Sequence, residues 1–102
     1  MTAQGSALTR YRRAIESRSL LLAELTAREM NHITLQDALG LLALYAAEPD
    51  PKYERAAARW LARLTLEKPE LTLAEVQLAA GALAALPTRE ETAMRVLVDL
   101  SG

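Results

Sequence analysis

At 102 residues the chain has the length of one domain, with 51% hydrophobic and 25% charged residues, the balance of a globular protein. A net charge of −1 gives no global pull toward nucleic acid or anionic membrane, and the absence of Cys excludes disulfides, thiolate nucleophiles and cysteine metal sites. The apolar content is mostly Ala and Leu, which lose little side-chain freedom in a helix, so the chain reads as all-α.

Residues 1–5 read as a flexible N-terminus and residues 6–102 as a single all-α domain. The opening stretch, MTAQGSALTRYRR, lacks the apolar run of a signal peptide. A long first helix is expected over about residues 6–30, with Ser17–Ser19 as the place for a bend or break. It carries Leu8, Tyr11, Ile15, Leu22 and Leu25 at roughly heptad spacing, interrupted by Arg18. Leu20 and Leu21 add apolar surface off that stripe, more than one helix of a small bundle needs for its own core. They are candidate partner-binding residues, as are Arg10, Arg12 and Arg13 of the RYRR cluster.

Residues 30–33 (MNHI) form a link that holds His32, the sole histidine. Its surroundings lack the Lys and Gly that follow the acceptor of histidine phosphotransfer bundles, so it reads as a polar linker residue. The second helix is expected over residues 35–48. Thr34 opens it, with Asp37 three residues on. Asp50 and Pro51 then provide an N-cap and a first helical position for a third helix, residues 51–68.

That helix, PKYERAAARWLARLTLEK, separates into two stripes. Tyr53, Ala56, Ala57, Trp60 and Leu64 face inward, and a buried indole N–H would need an acceptor. Lys52, Arg55, Arg59 and Arg63 recur at spacings of three and four on another side, making them further candidates for an acidic partner.

The stretch LTLAEVQLAAGALAALPT has two readings. Its first half resembles the opening of a helix-turn-helix with Gly81 at the turn. However, Ala-Leu-Ala-Ala-Leu follows the glycine and prolongs a helix, and the next segment opens with Glu90 and Glu91, which phosphates repel. We read a single fourth helix over residues 73–86, opened by Thr72 and Glu75. It is apolar nearly all round and therefore central, with Gly81, Ala79, Ala82 and Ala85 allowing a neighbour to approach closely. A fifth helix is expected over residues 89–100, opened by Thr88 and Glu91. Residues 33–50 and 71–88 align without gaps, a faint echo between two helix starts.

The expected fold is an all-α, five-helix (4+1) bundle: two consecutive helical hairpins preceded by a long N-terminal helix. A lone His, no Cys and dispersed carboxylates supply neither a metal site nor a nucleophile with its base, so no catalytic residue, cofactor or small-molecule substrate is expected. No apolar run is long enough to span a bilayer.

The expected function is a non-catalytic protein–protein interaction module, with self-association as a homodimer one form of it. It would dock through the first helix and the arginines of the third. The alternative is a small nucleic-acid-associated regulator using Arg10–Arg13 and Lys52–Arg63. It ranks lower because the chain is not basic and offers no aromatic platform for stacked bases.

The segments DPKYERAAARWLARLTLE and LTLAEVQLAAGALAALP resemble uncharacterised, small, Ala/Leu/Arg-rich α-helical proteins of actinobacteria. The resemblance covers about residues 11–87, with YERAAARWLARL its most specific part. It implies a helical fold and a bacterial cytoplasmic setting, and carries no activity or site residue.

Overall fold

The computed structural model describes residues 3–48 and 51–102, and among them all regular structure is helical. Six helices follow one another: α1 (Ala3–Glu16), α2 (Leu20–Glu29), α3 (Leu35–Ala47), α4 (Lys52–Glu67), α5 (Leu73–Ala85) and α6 (Glu90–Ser101). The all-α expectation holds, and the helix count does not. The expected long first helix is two antiparallel helices, so the chain is built from three consecutive hairpins: α1–α2, α3–α4 and α5–α6.

The division comes from a turn that carries no glycine. Arg18 adopts φ 56°, the left-handed region. Around it the Ser19 N–H donates to the Ala14 carbonyl at 2.9 Å and the Arg18 N–H to Ile15 at 3.0 Å, the paired bonds of a Schellman stop. Ser19 then caps α2, accepting from the Leu22 N–H. This turn resets the helical phase, which overturns the continuous heptad stripe. Tyr11 and Ala14 of α1 are buried as expected of an inward face, whereas Leu22 and Leu25 stand exposed. The inward face of α2 is instead formed by Ala23 and Thr26, with Leu20 half-buried beside them.

The other helix starts are more local. Thr34 accepts from the Asp37 N–H at 3.1 Å, and Thr72 with Glu75 forms a reciprocal capping box. Asp50 lies outside the described residues, and Pro51 occupies the position before Lys52. The expected Thr88–Glu91 box does not form. Backbone turns continue past α5 through residue 88, and the Thr88 hydroxyl donates back to the Ala85 carbonyl at 3.3 Å. Arg89 takes the capping position without a side-chain bond.

Two apolar clusters hold the helices together. The larger joins α3, α4, α5 and α6 through Leu39, Tyr53, Trp60, Leu64, Leu86 and Leu97 among others. The smaller seats the α1–α2 hairpin through Tyr11, Ala14, Ala23 and Leu44, and Leu20 and Leu41 pack against both. The central helix is therefore α3, which packs against α1, α2, α4 and α6, while α5 lies at the edge against α4 and α6. This reverses the expected centrality of the Leu73–Ala85 helix. Both helices are apolar all round, so periodicity cannot rank them.

The glycines show the same reversal. A Cβ on Gly81 would meet nothing within 4 Å, whereas one on Gly40 of α3 would lie 3.0 Å from the Ile15 side chain. The close helix approach is thus at α1–α3, and α5 does run unbroken through Gly81.

Two expectations follow for urea unfolding. Replacing Arg18 with Gly relieves the left-handed strain and raises stability by about 0.5–1 kcal/mol, whereas Arg18→Val lowers it. Gly81→Ala, on an open helical surface, stabilises by about 0.5–1 kcal/mol, whereas Gly40→Leu forces α1 from α3 and destabilises by at least about 1 kcal/mol.

Candidate partner-docking surface

Each Tyr and the single Trp has a polar handle, and each handle reaches a helix other than its own. The Trp60 indole N–H of α4 donates to the Leu35 carbonyl in the first turn of α3 at 2.9 Å, supplying the acceptor that burial demands. The Tyr53 hydroxyl of α4 donates to the Leu83 carbonyl of α5 at 2.6 Å. The Tyr11 hydroxyl of α1 donates to the Asp37 carbonyl of α3, and the Tyr45 hydroxyl of α3 to the Glu24 carboxylate of α2. Arg63 adds a bond from its guanidinium to the Ile33 carbonyl, just ahead of α3.

These bonds fix the register of α3 against α4 and leave an open trough between them, about 410 Å³ in volume. Its apolar lining is Ala38, Leu41, Leu42 and Tyr45 from α3 with Ala56 and Trp60 from α4; Arg59 and Arg63 stand at the α4 side. A second cleft, between α2 and α3, is lined by Glu24, Ala27 and Arg28 and shares Leu41 and Tyr45 with the first. On α2, Leu21, Leu25 and Arg28 follow at helical spacing, with Leu21 68% exposed. The leucine ridge, the trough and the α4 arginines therefore succeed one another along one side of the protein.

The nine residues proposed from sequence meet different fates. Leu21 is exposed as expected, but Leu20 is half-buried at the junction of the two clusters and is part of the core. Arg10 is engaged by Glu29, and Arg12 forks onto Asp37 with contacts of 3.1 and 3.2 Å. Arg13 is exposed.

Lys52 bonds Glu24 at 3.1 Å, and Arg63 is engaged by Glu67 and Ile33. Among the described residues no carboxylate pairs with Arg55 or Arg59; Arg59 makes only a 3.4 Å bond to the Arg55 carbonyl within its own helix. The RYRR cluster sits on α1 and the second basic stripe on α4; Arg12 shares a cleft with Glu67 and Lys68 at the end of α4.

Ala56 packs against the core as expected of the inward stripe, and Ala38 and Leu41 do so too; all three are partly buried and also line the trough. The sequence reading missed Leu66 and Leu73, 81% and 83% exposed.

The electrostatics around the trough are largely settled. The Tyr45 hydroxyl, followed by Lys52, holds the Glu24 carboxyl below its ordinary value. Arg10 does the same for Glu29. Burial pushes Tyr53 up to about 12 and raises Tyr11 as well. His32 is exposed in the α2–α3 link. Among the described residues no three His, Asp or Glu side chains converge on a metal position, and no helix is long and apolar enough to cross a membrane.

No protein-family model matches the sequence, and no curated protein or solved structure matches it.

The tyrosine shift predicts an alkaline weakness. Below pH 10 Tyr53 is neutral folded and unfolded; between pH 10 and about 12 the unfolded chain ionises first, so stability falls as pH rises. Its slope is at most about 1.4 kcal/mol per pH unit from this group. Urea midpoints measured from pH 9 to 11.5 should fall, and less steeply in Tyr53→Phe.

Proposed function

We propose that this chain is a non-catalytic helical interaction module. It docks a protein partner along the α2–α3–α4 side, with apolar contacts from α2 and arginines of α4 selecting an acidic surface. The carrying observation is the coexistence of an exposed leucine ridge (Leu21, Leu22, Leu25) with two α4 arginines, Arg55 and Arg59, that pair with no carboxylate among the described residues. Three large apolar side chains clustered on one helix form a sticky patch rather than a scattered solvated surface. Arg10 and Arg12 are already paired with Glu29 and Asp37 in exposed ion pairs, whereas Arg55 and Arg59 are paired with no carboxylate among the described residues.

Those pairings also count against the nucleic-acid reading, because phosphates would have to compete with Glu29 and Asp37 for two arginines of the RYRR cluster. The resemblance to small actinobacterial proteins adds a bacterial cytoplasmic setting to the proposal.

Self-association is one form of this docking, and light scattering measures it. The broader test compares proteins captured from native lysate by the wild type, by Leu21→Glu/Leu25→Glu and by Arg55→Glu/Arg59→Glu. All four side chains are exposed, so each change should shift stability by less than about 0.5 kcal/mol. The expected result is a captured set lost or at least tenfold depleted with both variants. A monomer at every concentration, with a captured set indifferent to both, would overturn the reading.

A further inference from the structure

Resting on the interaction-module reading, we propose that the α3–α4 trough receives one acidic amphipathic helix of another protein, laid over Trp60 with its carboxylates toward Arg59. Three observations select this occupant.

The first is charge. Arg59 borders the trough, Arg55 lies one turn away on the same helix, and Arg28 flanks the adjoining cleft beside Tyr45. Among the described residues none of these three has a carboxylate within ion-pair distance. The acids nearby are committed: Glu24 to the Tyr45 hydroxyl and Lys52, Glu67 to Arg63. An incoming carboxylate therefore meets the guanidinium groups of Arg55 and Arg59, whereas Arg28 already shares the field of Glu24 on its own helix.

The second is the floor. Ala38, Leu41 and Ala56, each partly buried, offer the apolar surface, and the edges of Leu42 and Trp60, both 4% exposed, lie at its base with the Trp60 N–H already satisfied by Leu35. A polyanion without apolar side chains gains only from the rim. The trough is open to solvent rather than enclosed, which suits a laid-in helix better than a small molecule needing enclosure on most sides.

The third is length. Ala38 to Tyr45 is eight residues of α3, a rise of roughly 10 Å, which matches two turns of an occupant presenting anchors at i, i+4 and i+7. A second copy of this chain is a poor occupant: its acidic helix α6 already buries its apolar face through Ala93 and Leu97.

Trp60 is the sole tryptophan and lines the trough, so its emission reports occupancy. The probe is a peptide of about fourteen residues with leucines at i, i+4 and i+7 and glutamates beside them, against the same peptide with lysines for glutamates. The glutamate peptide should give a saturable change in Trp60 emission, weakening as salt rises. Arg55→Glu/Arg59→Glu should reduce its affinity at least tenfold and admit the lysine peptide instead. Ala56→Gln, which fills the trough from the side without touching the rim charges, should also reduce affinity.

The proposal falls if neither peptide binds at millimolar concentration, if both bind alike, if binding leaves Trp60 emission unchanged, or if short duplex DNA gives the same response as the glutamate peptide. A glutamate peptide that fails while Leu21→Glu/Leu25→Glu still strips the lysate partners refutes this site alone and leaves the module reading standing.

Discussion

The bond from the Trp60 indole to the Leu35 carbonyl governs more of this structure than any other single contact. Trp60 buries a large ring, roughly 4–6 kcal/mol of apolar transfer as an upper figure, while its N–H could not enter the core unpaired. The acceptor lies in the first turn of α3, and Arg63, three residues on, reaches the Ile33 carbonyl just before that helix. Two points of attachment so close together leave α4 one way to lie on α3. That register turns Leu64 inward and places Arg59 at the edge of the trough. The surface chemistry of α4 is thus a consequence of where its aromatic anchor found a carbonyl.

The same device recurs with each tyrosine. A chain without Phe or Cys relies on four rings with polar tips, and each tip ties one helix to another. Such bonds are individually worth about 1 kcal/mol, but they are directional where Ala/Leu contacts are not. In an interior of small, interchangeable side chains, direction is what distinguishes one packing from its near neighbours. Tyr45 carries this into the docking face, since its hydroxyl orients Glu24, which in turn holds Lys52.

Much of the helical layout was legible in the residues, and the failures are informative. Thr34 with Asp37 and Thr72 with Glu75 announced their helices because side-chain caps are local chemistry. Thr88 with Glu91 carried the same pattern and misled, because the chain continued turning after α5 and drew the hydroxyl backward. The break at residues 17–19 fell where the two serines suggested one, but its sharpness was not legible: a left-handed stop normally declares itself with Gly or Asn, and here Arg18 takes that conformation. Everything downstream of that turn changed phase, moving Leu20 inward and Leu22 and Leu25 outward. The trough was not legible at all. Ala38, Leu41 and Ala56 are partly buried, and that they line an open trough depends on how two helices diverge, a property of tertiary geometry that no spacing rule contains.

The modest join between the first hairpin and the rest has a thermodynamic corollary. Besides Tyr11, the fully buried members of that cluster are two alanines and one leucine, far less apolar mass than lies among α3 to α6. Cooperative units of a domain open in order of their anchoring, so amide protons of α1 and α2 would exchange with solvent at a lower free energy than those of α4. A molecule able to lift one flap while its remaining four helices stay closed would uncover the Gly40 flank of α3 without unfolding as a whole.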